Sequence, residues 1–189
     1  MQNELDSRPH HPSFNLARKG NTARLLYFHG RDLDPDCEAY DDTRSEVLVM
    51  SGLPGSGKDH WLQRHGPDWP IVSLDQIRQE LRINPEDSQG AVVNHAKEQA
   101  REHLRAGASF VWNATNTTKS LRQQVIRFMR DYDARIRIVY VETEWSETRR
   151  RNRSRTTPVP QSVLEHLVSK LVVPDVTEAH HVDYVVSAR

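Results

Sequence analysis

The chain has one cysteine, Cys37, in 189 residues. A single thiol excludes an intramolecular disulfide and suits a reducing compartment, so a cytoplasmic protein is expected. Net charge is also lacking, because 26 Lys and Arg balance 26 Asp and Glu. A protein that coats nucleic acid is strongly basic, so that class is disfavoured. An enzyme touching only a strand end, or a small molecule, remains allowed. No apolar run reaches the roughly 18 residues of a membrane helix. The opening residues lack a signal-peptide core, and no membrane association is expected. No repeat is visible at solenoid periods.

What is present is a globular composition, 36% apolar and 28% charged, long enough for one ordinary domain. Residues 1–20 are polar and aperiodic, and "RDLDPDCEAYDD" (31–42) is acidic and turn-rich. Residues 1–45 are therefore expected to be a flexible or linker segment, with one possible strand at "ARLLYFHG" (23–30). From Glu46 onward strands and helices alternate. Strands are expected at 46–51, 70–74, 109–115, 135–143 and 183–187. The first carries an unbroken apolar run, Val47–Met50, as a strand buried on both faces should. The alternation predicts an α/β domain over 46–189, a mostly parallel central sheet flanked by helices.

Three helical stripes are expected to be core. They are Val93, Ala96, Ala100 and Leu104; Leu121, Val125, Phe128, Met129 and Tyr132; and Val163, Leu164, Leu167, Val168 and Leu171. Trp61, Trp69, Trp112 and Trp145 are read as packing. The pairs His10/His11 and His180/His181 lack metal-site company and are given no zinc role.

The chemistry begins at "MSGLPGSGKDH" (50–60). Gly52, Gly57 and Lys58 match G-x-x-x-x-G-K between an apolar strand and a helix start. Gly55 and Ser56 lie inside the loop, and Pro54 stiffens its approach. Glycines let the backbone wrap an anion and turn its N–H groups inward, and the next helix points its positive end at the same place. Lys58 should reach the β and γ phosphates of ATP. The pattern expects Ser or Thr next, to hold Mg²⁺, yet Asp59 stands there. The third strand ends in Asn113, Ala114, Thr115 and Asn116, with no carboxylate. Asp59 is therefore expected to be the metal residue, the alternative being that it only complements the helix dipole.

Asp75, with Arg78 three residues on, ends the second strand. A carboxylate there could take a proton from an attacking hydroxyl, and the Arg could fork onto an acceptor phosphate. The plainer reading is a helix cap beside a surface arginine. "RRRNRSR" (149–155) holds five arginines in seven residues. It is read as a lid over the phosphates, against a solvated basic face.

Taken in order, "GLPGSGK", "SLDQIRQEL", "NATN" and "RNRSRTTPVP" make the region from about Glu46 to Val186 resemble the 5′-polynucleotide kinase family. It looks most like the kinase modules joined to HD-type phosphohydrolase domains in bacterial RNA end-healing proteins, and is similar to phage polynucleotide kinase. The resemblance implies a P-loop kinase fold with a helical Arg-rich lid, ATP and Mg²⁺ as cofactors, and a 5′-OH end of RNA or DNA as partner. It implies that Lys58 contacts phosphate, Asp75 is the general base and Arg78 grips the acceptor's neighbouring phosphate. Arg155 becomes the lid arginine, with Arg151 heading its motif on the nucleotide side. Asp59 and Ala114 depart from the phage-like pattern of Ser and Asp, although a Lys-Asp pair also occurs in the HD-linked relatives. Residues 1–45 are too short for an HD domain. The chain is thus expected to be a stand-alone kinase or, the preferred reading, a module whose first residues are linker. A small-molecule kinase would keep the same donor site, and an ATP-binding switch would keep the loop alone.

Overall fold

Five of the seven residues of the first strand, Val47 to Ser51, are fully buried, and the rest of the fold is arranged about them. The computed structural model describes residues 22, 25, 41–84, 87–155 and 157–186. The chain divides into two units, Met1–Asp41 and Asp42–Arg189. Most of the first, including the expected linker, lies outside the described residues. Leu25, the one described residue of the strand expected at 23–30, is helical instead.

The second unit runs β1 (Ser45–Ser51), α1 (Lys58–His65), β2 (Ile71–Ser73), α2 (Leu74–Glu80), α3 (Gly90–Arg105), β3 (Phe110–Asn113), α4 (Lys119–Arg130), β4 (Ala134–Glu142), α5 (Trp145–Arg153), α6 (Gln161–Ser169) and β5 (His181–Val186). The five strands form one sheet in the order β2-β3-β1-β4-β5, and every pairing is parallel. All five expected strands are present. Side chains alternate across β1: Val47 and Val49 join one core cluster, Leu48 and Met50 the other. The sheet is thus buried on both faces, as parallel sheets are. The chain leaves β1 toward β2 and leaves β3 toward β4, so the direction of winding reverses between β1 and β3. Ligands in such sheets bind beyond the carboxyl ends of the strands at that reversal.

Two helical stripes depart from expectation. In α4 the buried residues are Arg122, Ile126 and Met129, while Leu121 is 45% exposed and Val125, Phe128 and Tyr132 are only partly buried. The helix is rolled because Arg122 enters the core. Its Nε and Nη2 donate to the two oxygens of Glu178 at 2.8 Å each, and its Nη1 to the carbonyls of Asn116 and Val172. A paired charge thus sits where an apolar residue would. In α6 only Leu164 is buried, and Val163 and Leu167 turn to a cleft instead of the core. α3 follows expectation closely, with Val92 in place of Val93 and Gly107 in the left-handed conformation after its end. His180 is structural: its Nδ1 accepts from the N–H of Ile136. Among the described residues, no helix is long and apolar enough to cross a membrane.

Candidate active site

Between β1 and α1 the chain turns through Gly52, Gly55 and Gly57, with φ of 142°, 83° and 103°. A Cβ at Gly52 would stand 2.4 Å from the Val141 carbonyl, and one at Gly55 2.7 Å from that of Thr148. The loop therefore lies flush against β4 and α5, and only glycine permits it. Its root is tied to the neighbouring strand, for Gly52 N–H donates to the Thr115 carbonyl at 2.8 Å. No side chain caps the N-terminus of α1. The first N–H groups of that helix are left for an anion. Ser56 Oγ, buried within the loop, has no partner among the described residues. An unpaired hydroxyl, an uncapped helix end and a glycine-lined turn together fit a bound phosphate.

Lys58 is 9% exposed, and its Nζ donates to the carbonyls of Gly52 and Leu53 at 2.9 Å each. Burial lowers its pKa from 10.5 to about 8, although Asp59 and Asp75 pull the other way. The buried ammonium is thus a destabilising charge in the folded protein. Between pH about 8 and 10.5 the unfolded chain binds the proton that the folded chain has lost. Stability should accordingly rise with pH across that window, and the full penalty applies below it. The shift is worth roughly 3 kcal/mol, and the two lost hydrogen bonds about 1 kcal/mol each. Lys58→Met is therefore expected to stabilise the nucleotide-free protein by about 1 kcal/mol, raising Tm by roughly 2–4 °C while nucleotide binding is lost. Thermal melts at pH 7 check this, and a lower Tm contradicts it.

Ser73, not Asp75, caps α2, accepting from the N–H of Gln76. Asp75 is thereby free of capping duty. Arg78 Nη1 donates to its Oδ1 at 2.5 Å, and Arg155 Nη2 to its Oδ2 at 2.8 Å, across 80 residues of sequence. Burial alone would push this carboxyl up. The two arginines, Arg78 foremost, outweigh it and hold the pKa below the ordinary carboxylate value. These residues line a cleft of about 460 Å³ together with Pro54, Lys58, Asp59 and Arg82. Four cations there face two carboxylates. Val159, Val163 and Leu167 supply an apolar wall.

The arginine run divides by role. α5 covers the short stretch before the run and the run as far as Arg153, and Arg155 lies beyond its end. Arg149 stacks on Trp145, while Arg150 and Arg151 hold Glu147, whose carboxyl is lowered to about 2, chiefly by Arg150. Arg151 also lies against the phosphate loop, 3.5 Å from the Ser56 carbonyl. Of the run, Arg155 lines the cleft that holds Asp75. Its loop is clasped by Asn152, whose side chain donates to the Val159 carbonyl and accepts from the Val159 N–H. Sequence reasoning gave Asn152 no part. Its partner lies seven residues on, past the end of α5, where helical spacing no longer predicts contact.

Asp59 and Asn113 meet across the mouth of the loop, Asn113 Nδ2 donating to Asp59 Oδ1 at 2.8 Å. Among the described residues no three His, Cys, Asp or Glu converge. A hard cation here would take Asp59 and complete its shell with phosphate oxygens and water, a donor set that suits Mg²⁺. A second cleft, of about 620 Å³, lies on the other side of the loop, between His60, Trp61 and Arg64 of α1 and Arg150 and Arg151 of α5.

The AAA domain model matches residues 47–174. No curated protein sequence is significantly similar to this one. Among solved structures, the chain is similar to a candidate kinase from Chloroflexus aurantiacus, at 15% identity over 77% of this chain and 86% of that one, with a TM-score of 0.62. It is similar to the Mycobacterium tuberculosis APS kinase CysC solved with AMPPNP and APS, at 15% identity, 75% and 89% coverage and a TM-score of 0.51. It is also similar to a chain of the Pnkp1/Rnl/Hen1 complex, at 19% identity, 62% and 42% coverage and a TM-score of 0.51. At these identities the likeness is one of fold, that of the P-loop kinases.

Proposed function

Because the chain belongs to the AAA domain family, we propose that it is an ATP-dependent kinase that transfers the γ-phosphate to a 5′-hydroxyl of RNA or DNA. The observation that carries this reading is the cleft beside Lys58, where Asp75 stands between Arg78 and Arg155 and Arg82 adds a further cation. The donor's phosphates need Lys58 and the loop amides. Arg78 and Arg82 are positive charge beyond that need, which suits an acceptor bearing its own phosphate next to the hydroxyl. The apolar wall of Val159, Val163 and Leu167 offers a surface for its sugar and base. The donor's nucleoside is assigned to the second cleft, so donor and acceptor approach the loop from opposite sides.

In this reading Asp75 accepts the proton of the acceptor hydroxyl as its oxygen forms the bond to phosphorus. The bond from the γ-phosphorus to the bridging oxygen breaks, and the electron pair leaves on ADP. Lys58 and Arg155 meet the charge on the transferring oxygens. Arg151 braces the loop from behind. Asp59, positioned by Asn113, would hold Mg²⁺, which when bound would supply neutralising charge to the transferring phosphates. Residues 46–189 form the kinase module, and an HD-type phosphohydrolase domain is a proposed companion.

The test is transfer of radiolabelled phosphate from ATP to a 5′-OH oligonucleotide. Label is expected on the oligonucleotide, not on free nucleosides or sugars, and the acceptor KM should climb with added salt. Label on a small molecule and none on the oligonucleotide would favour the small-molecule kinase, a reading the modest cleft volume of about 460 Å³ also accommodates. Asp59→Ala should weaken Mg²⁺-dependent binding of a non-hydrolysable ATP analogue by about ten-fold or more, since it removes the carboxylate proposed to hold the cation. Retention of Mg²⁺-dependent affinity within a few-fold excludes the metal role of Asp59.

A further inference from the structure

Gln89 precedes the first residue of α3 and occupies the capping position, yet its side chain caps nothing. Its bonding capacity goes elsewhere. Oε1 accepts from Arg78 Nε at 2.8 Å, and Nε2 donates to the carbonyls of Asn84 at 2.9 Å and Asp87 at 2.7 Å. The amide is locked in one orientation. Turned over, it would set N–H against N–H at Arg78 and oxygen against two carbonyls. The loop it grips is itself braced, with Asn84 N–H donating to Asp87 Oδ2 and Ile83 N–H to the Arg78 carbonyl.

This fixes what Arg78 can offer. A guanidinium carries five N–H groups and can grip a phosphate side-on, through Nε and one Nη, or end-on, through both Nη. Gln89 occupies Nε and Asp75 takes one N–H of Nη1. The side-on grip through Nε is closed, and what remains to face the cleft, beside the carboxylate, is Nη2 with the second N–H of Nη1. Nothing in the phosphate loop or the arginine run points to Gln89, whose partner lies 11 residues earlier.

We infer that Gln89 is a positioning residue for the acceptor: it holds the Arg78 guanidinium end-on to the cleft and so sets where an acceptor phosphate sits relative to Asp75. This rests on the reading of Arg78 as the group that grips the acceptor.

A kinetic cycle tests it. Gln89→Met keeps the shape and removes the bonds. It is expected to raise the acceptor KM about ten-fold, with kcat within about three-fold and the KM for ATP within two-fold, the pattern of lost acceptor binding. Gln89→Ala should show the same split. In an Arg78→Ala background, adding Gln89→Met should change the acceptor KM by less than about two-fold, because the two residues act as one unit. Full additivity in that background, an equal rise in the KM for ATP, or no effect of either Gln89 variant would overturn the inference. Should the phosphorylated hydroxyl belong to something other than a polynucleotide, the proposed function fails, while the cycle still reads Gln89 on the true acceptor.

Discussion

Asp75→Asn is expected to slow phosphoryl transfer by about 10²–10⁴-fold, the range for loss of a general base. The substitution keeps the shape and one acceptor oxygen, so nucleotide affinity should change little. The wild-type pH dependence follows from the geometry. Arg78 and Arg155 hold the Asp75 carboxyl below its ordinary value. The free enzyme's acid limb, read from kcat/KM, should therefore fall below the ordinary carboxylate range, near pH 3.9. A γ-phosphate and an acceptor phosphate compete for the same two arginines. Their arrival draws positive charge away from Asp75, so the acid limb of kcat should lie at higher pH than that of kcat/KM. A proton acceptor of low basicity suffices because the transition state of such transfers is loose and demands little early deprotonation. The linkage has the matching sign. Since the folded pKa is depressed, the stability Asp75 contributes is present above the unfolded value and is lost as pH falls through the folded one. Undiminished transfer by Asp75→Asn would remove the base from the mechanism, whereas no transfer at all by the wild type would favour an ATP-binding switch.

Arg122→Ala should destabilise the protein by about 3–5 kcal/mol, because it strands a buried carboxylate. Arg122 is 0% exposed and Glu178 3%. Against a total stability of roughly 5–15 kcal/mol, that loss leaves the fold marginal. Tm should drop by about 10 °C. The double change Arg122→Met/Glu178→Leu should recover much of this, since apolar residues of similar volume often replace a buried pair well. Recovery stays incomplete because the carbonyls of Asn116 and Val172 lose their donor. The same bonds reach the phosphate loop. Asn116 lies in the left-handed region at φ 44°, its side chain donates to the Met50 carbonyl, and its own carbonyl accepts from Ser51 Oγ. Nucleotide affinity should fall together with stability. Thermal and denaturant melts check the expectation, and a loss under about 1 kcal/mol overturns it.

The central strand was legible because a parallel strand buried on both faces must be apolar through its middle, and a short run such as the Val47–Met50 stretch of "EVLVMS" has no other use; the edge strands were legible only from their alternation with helices. The phosphate loop was legible for a related reason. Its glycines are demanded by backbone geometry within one short segment, so the requirement is written locally. The helix stripes failed where a polar residue took a core position. Periodicity places Leu121 inside and Arg122 outside, and only Glu178, 56 residues away, reverses this. Val163 and Leu167 were misread because an apolar residue facing a ligand cleft and one facing a core look alike in sequence.

Order and local chemistry along the chain were enough to establish a parallel α/β sheet, an anion-binding turn at its first strand and a carboxylate–arginine pair after its second. These depend on the backbone of neighbouring residues, whose demands are met within a few positions. Tertiary structure alone decided that Arg155, already singled out by resemblance, bonds to Asp75, that Asn113 braces Asp59, that Gln89 orients Arg78 and that Arg122 is buried. Each is a directional contact between segments remote in sequence or out of step with any period, and such contacts exist only once the sheet has brought those segments within the reach of a hydrogen bond.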